Sequence, residues 1–293
     1  MSWMGCLKGI AFGDAWGNEN EFLSLEEIAL WGNPHPPEQF IITDDTQMTL
    51  YLADALEHPA PFEMRVFKIR EKFVKWLNDP DNNRNPGDTC LQAIASLELH
   101  EVVDNYSKGN GSLMRVFPCA YSKKRQQFGL AKAQSELTHK HPTATMCCLL
   151  ATYLLMRAES GDLYAPDALG TAFRMSNDVR SPYYNQDISR ALAKALFYRD
   201  SPDLWEHYDA CSFIGDGWVA EEALALSLYF LGLRTGAVNR LGKAATCRGD
   251  SDTVAAITGG FIGAFYGDVW PKDWIDRLEP RYKTWITKEW DIK

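Results

Sequence analysis

The chain has 293 residues, of which 46% are hydrophobic and 24% are charged, and its formal net charge is -9. A chain of this length can bury a sizeable core, and the composition is that of an ordinary globular protein. The negative charge argues against a nucleic-acid surface, which should be basic, and no run of about 18 apolar residues predicts a membrane span. An anionic small ligand is still possible, because bound cations can reverse the local sign of charge.

The seven cysteines and the N-terminal segment indicate a reducing compartment. The number is odd, the neighbours Cys147 and Cys148 cannot easily pair, and no C-x-x-C zinc spacing occurs. Lys8 interrupts the short apolar stretch at the N-terminus and Asp14 follows soon after, so the segment lacks the pattern of a signal peptide. We therefore predict reduced cysteines and a cytoplasmic protein.

The first predicted helix carries glycines at intervals of four residues. Gly9, Gly13 and Gly17 fall on one helix face. Glycine destabilises a helix by roughly 1 kcal/mol relative to alanine. The pattern therefore predicts either a close crossing with another helix or room for a ligand, and the glycines of 259–263 repeat it near the other end of the chain.

The next segment, TDDTQ, places Asp44 and Asp45 between two threonines. One interpretation is a capping box, with Asp44 as the N-cap of a helix and Gln47 three residues later. The other is a cation site, because hard divalent cations prefer oxygen ligands. Taken alone, the segment favours capping.

The rest of the chain shows helical periodicity almost throughout. In FEMRVFKIREKFVKWLN one helix face carries Phe62, Val66, Ile69, Phe73 and Leu77. The same periodicity occurs in TCLQAIASLELHE, HPTATMCCLLATYLLMRAE, SRALAKALFYR and GWVAEEALALSLYFLGLRT. No period-two alternation or Asn-Gly hairpin signal occurs. We predict an all-α fold.

Prolines and polar loops complete the predicted organisation. Pro142 and Pro166 are placed as first-turn helix prolines. The polar loops 79–89 and 176–187 are long for a helical protein, and such loops are often functional. No low-complexity linker or fixed repeat divides the chain. We therefore predict one compact domain over 1–293.

The acidic pattern recurs near the C-terminus, where RGDSDT places Asp250 and Asp252 before another apolar helix and beside Thr253. A helix N-terminus repels cations, so four carboxylates exceed what capping needs and suit a pair of metal ions. The two corners can form one site only if the fold brings the ends of the chain together. The segment DSDT also matches D-x-D-x-T of phosphotransferases, but that motif should follow a buried parallel strand, and AATCRG precedes it here.

Together, the segments resemble the ADP-ribosylglycohydrolase family. The motifs occur in family order over roughly 5–268: GIAFGDAWGNENE, TDDTQMTL, RNPGDTCLQAI, GNGSLMRVFP, LTHKHP, GDGWVAEEALALSL and GDSDTVAAITGGFIGAFYG. The resemblance implies a compact all-α fold with two Mg²⁺ or Mn²⁺ ions in a central cleft. It also implies hydrolysis of the bond between ADP-ribose and a modified protein side chain or small acceptor, with ADP-ribose as product.

The resemblance assigns site residues by motif. The metal set is Thr43, Asp44, Asp45, Asp250, Asp252 and Thr253, and the catalytic set is Glu21, Asp45 and Asp252. The family element G-D-x-x-G-x-x-x-E matches Gly13, Asp14, Gly17 and Glu21, whereas Glu19 is two residues short of the matching position. Glycosyl bond cleavage passes through an oxocarbenium-like state, and Glu21 is the predicted general acid or base.

A second set is assigned to ADP-ribose binding: Asn110, Gly111, Ser112, Met114, His139, Gly215, Gly217 and Trp218. Alternatives stay open for several of them. The segment GNGS is also an ordinary helix-start turn, and Trp218 stacks on adenine or packs in the core. His139 and His141 suit a metal poorly, because imidazole is softer than Mg²⁺ prefers. Arg115 neutralises phosphate or anchors the loop to a carboxylate.

One loop departs from the family pattern. Where family members commonly have APGNT this chain has NPGDT, so Asn85 and Asp88 are unusual. Asp88 aligns with the family asparagine rather than with the catalytic aspartate that some members carry in this loop. Two alternatives to the enzyme remain: a non-catalytic ADP-ribose-binding or structural member, and a hydrolase of another nucleotide-related N-glycoside. The C-terminal aromatic segment either covers the core or meets a partner.

Overall fold

The computed structural model describes residues 3–122, 125–205 and 208–292. Within these residues the chain is almost entirely helical and contains no β-strand. Two isolated β-bridges occur among these residues, one between Phe40 and Leu278 and one between Gly109 and Val219. The predicted all-α fold is confirmed. No helix in the described part of the chain combines the length and apolarity needed to cross a membrane.

The helices follow one another through loops of very different length, of which 99–116 is a long one. In chain order they are α1 Trp3–Asn18, α2 Leu25–Trp31, α3 Asp44–Leu56, α4 Phe62–Leu77, α5 Asp88–Glu98, α6 Phe117–Tyr121, α7 Gln127–Glu136, α8 Pro142–Glu159, α9 Ala168–Asn177, α10 Gln186–Arg199, α11 Pro202–Trp205, α12 Ala210–Ile214, α13 Ala220–Leu231, α14 Ala237–Ala245, α15 Ser251–Tyr266 and α16 Pro280–Ile286. Short 3-10 turns occur at Asn110–Ser112, Ala165–Asp167 and Lys272–Arg277.

The helical periodicity located the elements well but assigned one face only in part. On α4, Ile69 and Phe73 are buried as predicted, and Arg65 and Trp76 are buried beside them. The first proline prediction is confirmed, since Pro142 begins α8. Helix propensity and apolar periodicity therefore predict where a helix lies in the sequence. Which of its residues are buried depends on the neighbours against which the helix packs.

Helices α1 and α15, which come from the two ends of the chain, pack with their backbones in contact. A methyl group added at Gly259 would lie 2.0 Å from the carbonyl oxygen of Gly9, and one at Gly13 would lie 2.1 Å from that of Ala255. At Gly17 it would lie 2.4 Å from the carbonyl oxygen of Ser251. The glycines therefore allow the backbones of α1 and α15 to cross closely. Of the two interpretations of their spacing, this supports helix crossing rather than room for a ligand.

The C-terminal aromatic segment covers the core. Trp270, Trp274 and Tyr282 are buried. The Trp274 ring lies edge-on against Phe12 of α1, with centroids 5.2 Å apart. This segment therefore closes the outer side of the α1 and α15 pair, which leaves its main aromatic side chains unavailable to a partner.

Ion pairs connect the last helix, α16, to loop 79–89. Arg281 donates to the Asp79 carboxylate and, at 2.7 Å, to Asp81. Burial alone would raise the pKa of Asp79, but hydrogen bonds from Arg281 and Tyr51 outweigh it and lower the pKa to about 2. Because the folded-state pKa lies below the ordinary value, the stabilisation is complete above about pH 4 and is lost as the pH falls toward 2.

We expect Arg281→Gln to lower the free energy of unfolding at neutral pH by about 1 kcal/mol, since the guanidinium is partly exposed. The difference from wild type should be smaller at pH 3, because the stabilisation is partly lost between about pH 4 and pH 2. Urea unfolding at both pH values measures it. Arg180→Gln, which breaks the exposed Asp178 pair, is the control with little expected effect. An unchanged difference at both pH values would contradict the assignment.

Candidate active site

The first turns of α3 and α15 meet at one end of the α1 and α15 pair. The Thr253 hydroxyl donates to the Asp45 carboxylate at 3.2 Å, and the Thr43 hydroxyl donates to Asp252 at 3.4 Å. These bonds join residues more than two hundred positions apart in the chain. The two acidic corners identified in the sequence therefore form one site.

Asp14 of α1 holds the first of these corners in place. It is fully buried, and its carboxylate accepts hydrogen bonds from the backbone N–H groups of Thr43 and Thr46, each at 3.0 Å. Both threonine hydroxyls also donate to it. Burial raises the pKa of Asp14 to about 6, although these hydrogen bonds oppose the shift. Asp14 therefore fixes the turn from which Asp44 and Asp45 project.

The capping-box interpretation of TDDTQ is wrong. The N-cap of α3 is Thr43, which makes no side-chain capping bond, and Asp44 lies inside the first turn. Gln47 turns away and donates instead to the Tyr282 hydroxyl at 2.7 Å. At the other corner, Asp250 is the N-cap of α15 but likewise makes no capping bond. Neither N-cap side chain therefore satisfies its own helix end, although the Asp252 carboxylate accepts from the Thr253 N–H at 2.7 Å.

Three carboxylates approach closely enough to share a cation. One oxygen each of Glu21, Asp250 and Asp252 lies within 4.8 Å of the others. Asp250 is oriented by Asn110, whose side-chain amide donates to it at 2.6 Å and to the Gly217 carbonyl at 2.7 Å. The arrangement presents oxygen ligands toward a common point, as hard divalent cations require.

The chemistry of the donor set fits a metal. The buried oxygen Asp45 Oδ1 has no hydrogen-bond partner among the described residues. The described residues that line the cleft include several carboxylates but no lysine or arginine. Burying uncompensated charge is expensive, so a buried acid cluster without a basic partner either stays partly protonated or binds a cation.

The pKa values reflect the same crowding. Burial, and then the charges of neighbouring acids, raise the pKa of Asp44, Asp45 and Asp252 well above the ordinary value. Burial also raises the pKa of Asp250, although hydrogen bonds such as that from Asn110 oppose the shift. For Glu21, burial and then the charge of Asp250 raise the pKa to about 8.

The acids open into a cleft of about 260 Å³. Its lining is Glu21, Asp44, Asp45, Asn85, Gly87, Asp88, Thr89, Cys90, Gly109, Asn110, Gly111, Met114, His139, Trp218, Asp250, Asp252 and Thr253. Most of the residues assigned from the sequence are therefore in one place. Gly111 permits the narrow wall, because a methyl group there would lie 2.9 Å from Cys90 Sγ and 3.0 Å from His139.

Four assigned residues lie behind the lining rather than in it: Thr43, Ser112, Gly215 and Gly217. The Thr43 hydroxyl is bonded to Asp14 at 2.8 Å. The buried Ser112 hydroxyl accepts from Ser135 at 2.9 Å. Gly217 offers its carbonyl to Asn110, and Gly215 packs against the Glu222 side chain. These four residues therefore contact residues next to the cleft. Direct contact between them and a ligand stays a prediction.

The two histidines of THKHP have separate surroundings. His139 lines the cleft, where burial and the nearby Arg115 charge lower its pKa to about 3. Its Nδ1 lies 2.8 Å from the Thr138 hydroxyl. His141 instead accepts from the Thr143 N–H and caps α8. The imidazole of His139 is therefore neutral at ordinary pH, and the two do not form a ligand pair.

Arg115 anchors the loop rather than facing the cleft. It is fully buried, and its guanidinium donates to Gln134 at 2.8 Å and to the Thr138 hydroxyl at 2.6 Å. It also lies over the Phe73 ring, 4.5 Å from the centroid. The anchoring partners are thus an amide and a hydroxyl, whereas the sequence suggested a carboxylate.

Two residues near Glu21 were missed as site residues. Asn85 has a left-handed backbone with φ of 53°, and its amide donates to the Glu21 carboxylate at 3.4 Å. Phe22 also has positive φ, at 65°, and stacks on Trp218 with centroids 5.6 Å apart. The unusual NPGDT loop was the available signal for Asn85, whereas nothing in the sequence pattern indicated Phe22. Trp218 is 43% exposed, which excludes core packing for it.

A comparison with protein families decides the identity of this arrangement. The model of the family described as ADP-ribosylglycohydrolase matches residues 3–291. The chain belongs to the ADP-ribosylglycohydrolase family. The resemblance found in the sequence motifs is confirmed, and with it the enzyme class, a hydrolase of glycosyl bonds.

Individual relatives of this ADP-ribosylglycohydrolase are distant but cover nearly the whole chain. The ADP-ribosyl-[dinitrogen reductase] glycohydrolase of Rhodospirillum rubrum is 26% identical over 98% of this chain and 94% of its own. The ADP-ribosylarginine hydrolase Tri1 of Serratia proteamaculans is 24% identical, covering 94% and 74%. The human ADP-ribosylhydrolase ARH3 is 25% identical, covering 94% and 88%.

A solved structure supports the fold. A chain of an ADP-ribosylglycohydrolase-related protein complex superposes with a TM-score of 0.70 at 22% sequence identity. The match covers 97% of this chain and 94% of the other. At that identity the likeness establishes the helical architecture alone.

Proposed function

We propose that this ADP-ribosylglycohydrolase removes ADP-ribose from a modified protein side chain or small acceptor, with two divalent cations, Mg²⁺ or Mn²⁺, in its cleft. The observation that carries the proposal is the convergence of carboxylates from both ends of the chain, with no lysine or arginine among the described lining residues. Asp44, Asp45, Asp250 and Asp252, with Thr253, are the proposed ligands. When bound, the cations supply Lewis-acid polarisation of water and of the ribose hydroxyls.

The residues around the acids have complementary proposed roles. Gly109 and Gly111 let the backbone approach the diphosphate, since neither presents a side chain. Trp218 offers a partly exposed ring for the adenosine half. Glu21, at the cleft edge beside Asp250 and Asp252, moves the proton at the scissile bond. This set binds and orients the sugar while leaving one side open to the acceptor.

The acceptor side of the cleft supports a cationic acceptor. Asp88 is exposed and belongs to the lining, where it begins α5. One relative is named for ADP-ribosylarginine, whose guanidinium would suit a carboxylate. We therefore propose an arginine-type linkage as the first substrate to test, in a reducing cytoplasm as the cysteine content predicts.

The deciding experiment is a substrate panel analysed by mass spectrometry. It contains ADP-ribosyl-arginine, ADP-ribosyl-serine, ADP-ribosyl-guanidine and free nucleotides, each with Mn²⁺ or with chelator. We expect release of ADP-ribose from at least one ADP-ribosylated acceptor, in the presence of metal only. Cleavage of free nucleotides alone would favour a different N-glycoside hydrolase. Binding of ADP-ribose without turnover of any acceptor would indicate a non-catalytic member.

Metal binding should also stabilise the fold. At a Mn²⁺ concentration about one hundred times the dissociation constant, linkage adds about 2.7 kcal/mol, which is roughly 5 °C in the unfolding midpoint. Thermal unfolding with Mn²⁺ and with chelator measures the shift. Asp45→Asn should lose most of it, whereas Asp268→Asn, in an exposed pair with Lys8, should keep it. An equal shift in both variants would place the metal elsewhere.

A further inference from the structure

A second and larger cavity lies outside the active cleft. Its volume is about 810 Å³, within the range of small-molecule sites. Five aromatic residues are among those that line it: Tyr198, Trp205, Tyr208, Tyr229 and Phe230. None of the residues assigned to the hydrolase reaction lines this cavity. The size and the wall suit a planar ligand, since ring faces offer stacking contacts.

Among the described residues that line this cavity, positive side chains exceed negative ones. Arg234 and Lys243 both line it and are exposed, and neither takes part in an ion pair among the described residues. The described acid in the lining is Asp209, whose carboxylate is already used to cap α12 by accepting from the N–H groups of Cys211 and Ser212. These two positively charged side chains, in a protein of net charge -9, provide a site for an acidic group of a ligand.

The segments that line the cavity continue directly into the active cleft. Leu25 follows Glu21 by four positions, Cys211 precedes Gly215 by four, and Cys247 precedes Asp250 by three. Cys211 and Cys247 both line the cavity. A molecule in the cavity would therefore contact three segments of the chain that continue into the active site.

Two of these segments, the one that contains Cys211 and the one that contains Cys247, are joined by hydrogen bonds close to the active cleft. The Asp250 N–H donates to the Asp216 carbonyl at 2.9 Å, and Arg248 donates to the Asp216 carboxylate at 2.8 Å. Gly249 makes the contact possible, because a methyl group there would lie 2.2 Å from the Asp216 carbonyl oxygen. A displacement of either segment at the cavity would consequently change the position of Asp250.

We propose that this cavity is a regulatory site for a planar aromatic anion, an arene that carries a carboxylate, sulfonate or phosphate group. The ring lies among the tyrosines, and the acidic group pairs with Arg234 and Lys243. Occupancy is coupled to divalent-cation binding in the cleft, and by linkage the two ligands alter each other's affinity by the same factor. This inference goes beyond hydrolysis and does not require turnover.

The test uses 1-anilinonaphthalene-8-sulfonate as the probe, with binding followed by fluorescence on the folded full-length protein. We expect saturable binding at one site. The double variant R234Q/K243Q should bind at least about tenfold more weakly, because it removes both partners of the sulfonate. Thr235→Trp, which adds bulk at a half-buried lining position, should also weaken binding. K132Q/R174Q removes the same charge at exposed positions elsewhere and should bind as wild type does.

The coupling is measured by Mn²⁺ titration with and without saturating probe. We expect the Mn²⁺ dissociation constant to change by about threefold or more, and the change to vanish in R234Q/K243Q. Equal probe binding by R234Q/K243Q and K132Q/R174Q, or no saturable binding to wild type, would overturn the site. An unchanged Mn²⁺ constant would overturn the coupling. Absence of hydrolysis would affect only the proposed function, since neither measurement depends on turnover.

Discussion

Replacing Asp252 with asparagine should reduce release of ADP-ribose by about a thousandfold or more while the fold remains intact. Asp252 lies where the two ends of the chain meet, and its carboxylate is within 4.8 Å of those of Glu21 and Asp250. Because Asp252 is a proposed metal ligand, its loss should remove charge stabilisation that acts on the reacting sugar. Initial rates on the accepted substrate of the panel measure the effect.

Stability separates a catalytic role from a structural one in this variant. Removing one negative charge from a buried cluster of acids relieves repulsion, so the metal-free Asp252→Asn protein should unfold at the same temperature as metal-free wild type or a higher one. Asp268→Asn, an exposed aspartate paired with Lys8, should keep both activity and midpoint. Full turnover by Asp252→Asn would eliminate the proposed chemistry.

The second large effect concerns the helix pair beneath the site. We expect Gly259→Ala to lower the free energy of unfolding by about 3 kcal/mol or more, because the added methyl group would lie 2.0 Å from the Gly9 carbonyl oxygen. Neither backbone can yield locally, so α1 and α15 must separate. Because these helices carry Asp14 and Asp252, metal affinity should fall together with stability. Urea unfolding and Mn²⁺ titration measure the two consequences.

Gly170→Ala is the matched control for that substitution. Gly170 lies inside helix α9, and its added methyl group would meet only the flexible Arg174 side chain, at 3.5 Å. Here the same change should raise the free energy of unfolding by about 0.5 to 1 kcal/mol, since alanine has the better helix propensity. Similar losses in Gly170→Ala and Gly259→Ala would show that the glycines of the α1–α15 crossing do not act through close backbone packing.

The helical elements and most of the acid set could be predicted from the sequence, because both depend on local patterns. Apolar spacing located α4 and α8, and two recurring acid–threonine corners singled out Asp45 and Asp252. Whether those corners meet depends on the tertiary packing of α1 against α15, which no local pattern encodes. The glycine spacing predicted a close crossing as one of two possibilities, but it could not say which helix was the partner.

The supporting contacts were beyond prediction for a related reason. Asn110 matched a ligand-binding loop, yet its amide is bonded to Asp250, which is 140 positions away. Asn85 reaches Glu21 through a left-handed backbone conformation, and Phe22 stacks on Trp218 across the cleft mouth. Such contacts follow from loop geometry, which becomes defined only when the helices are assembled.

Anomalous diffraction from a crystal soaked in Mn²⁺ tests the central claim most directly. The account predicts two peaks in the cleft, about 3.5 to 4 Å apart, each within about 2.5 Å of carboxylate oxygens contributed by both Asp44–Asp45 and Asp250–Asp252. A cleft without anomalous signal, or ions bound by acids from one end of the chain alone, would contradict it.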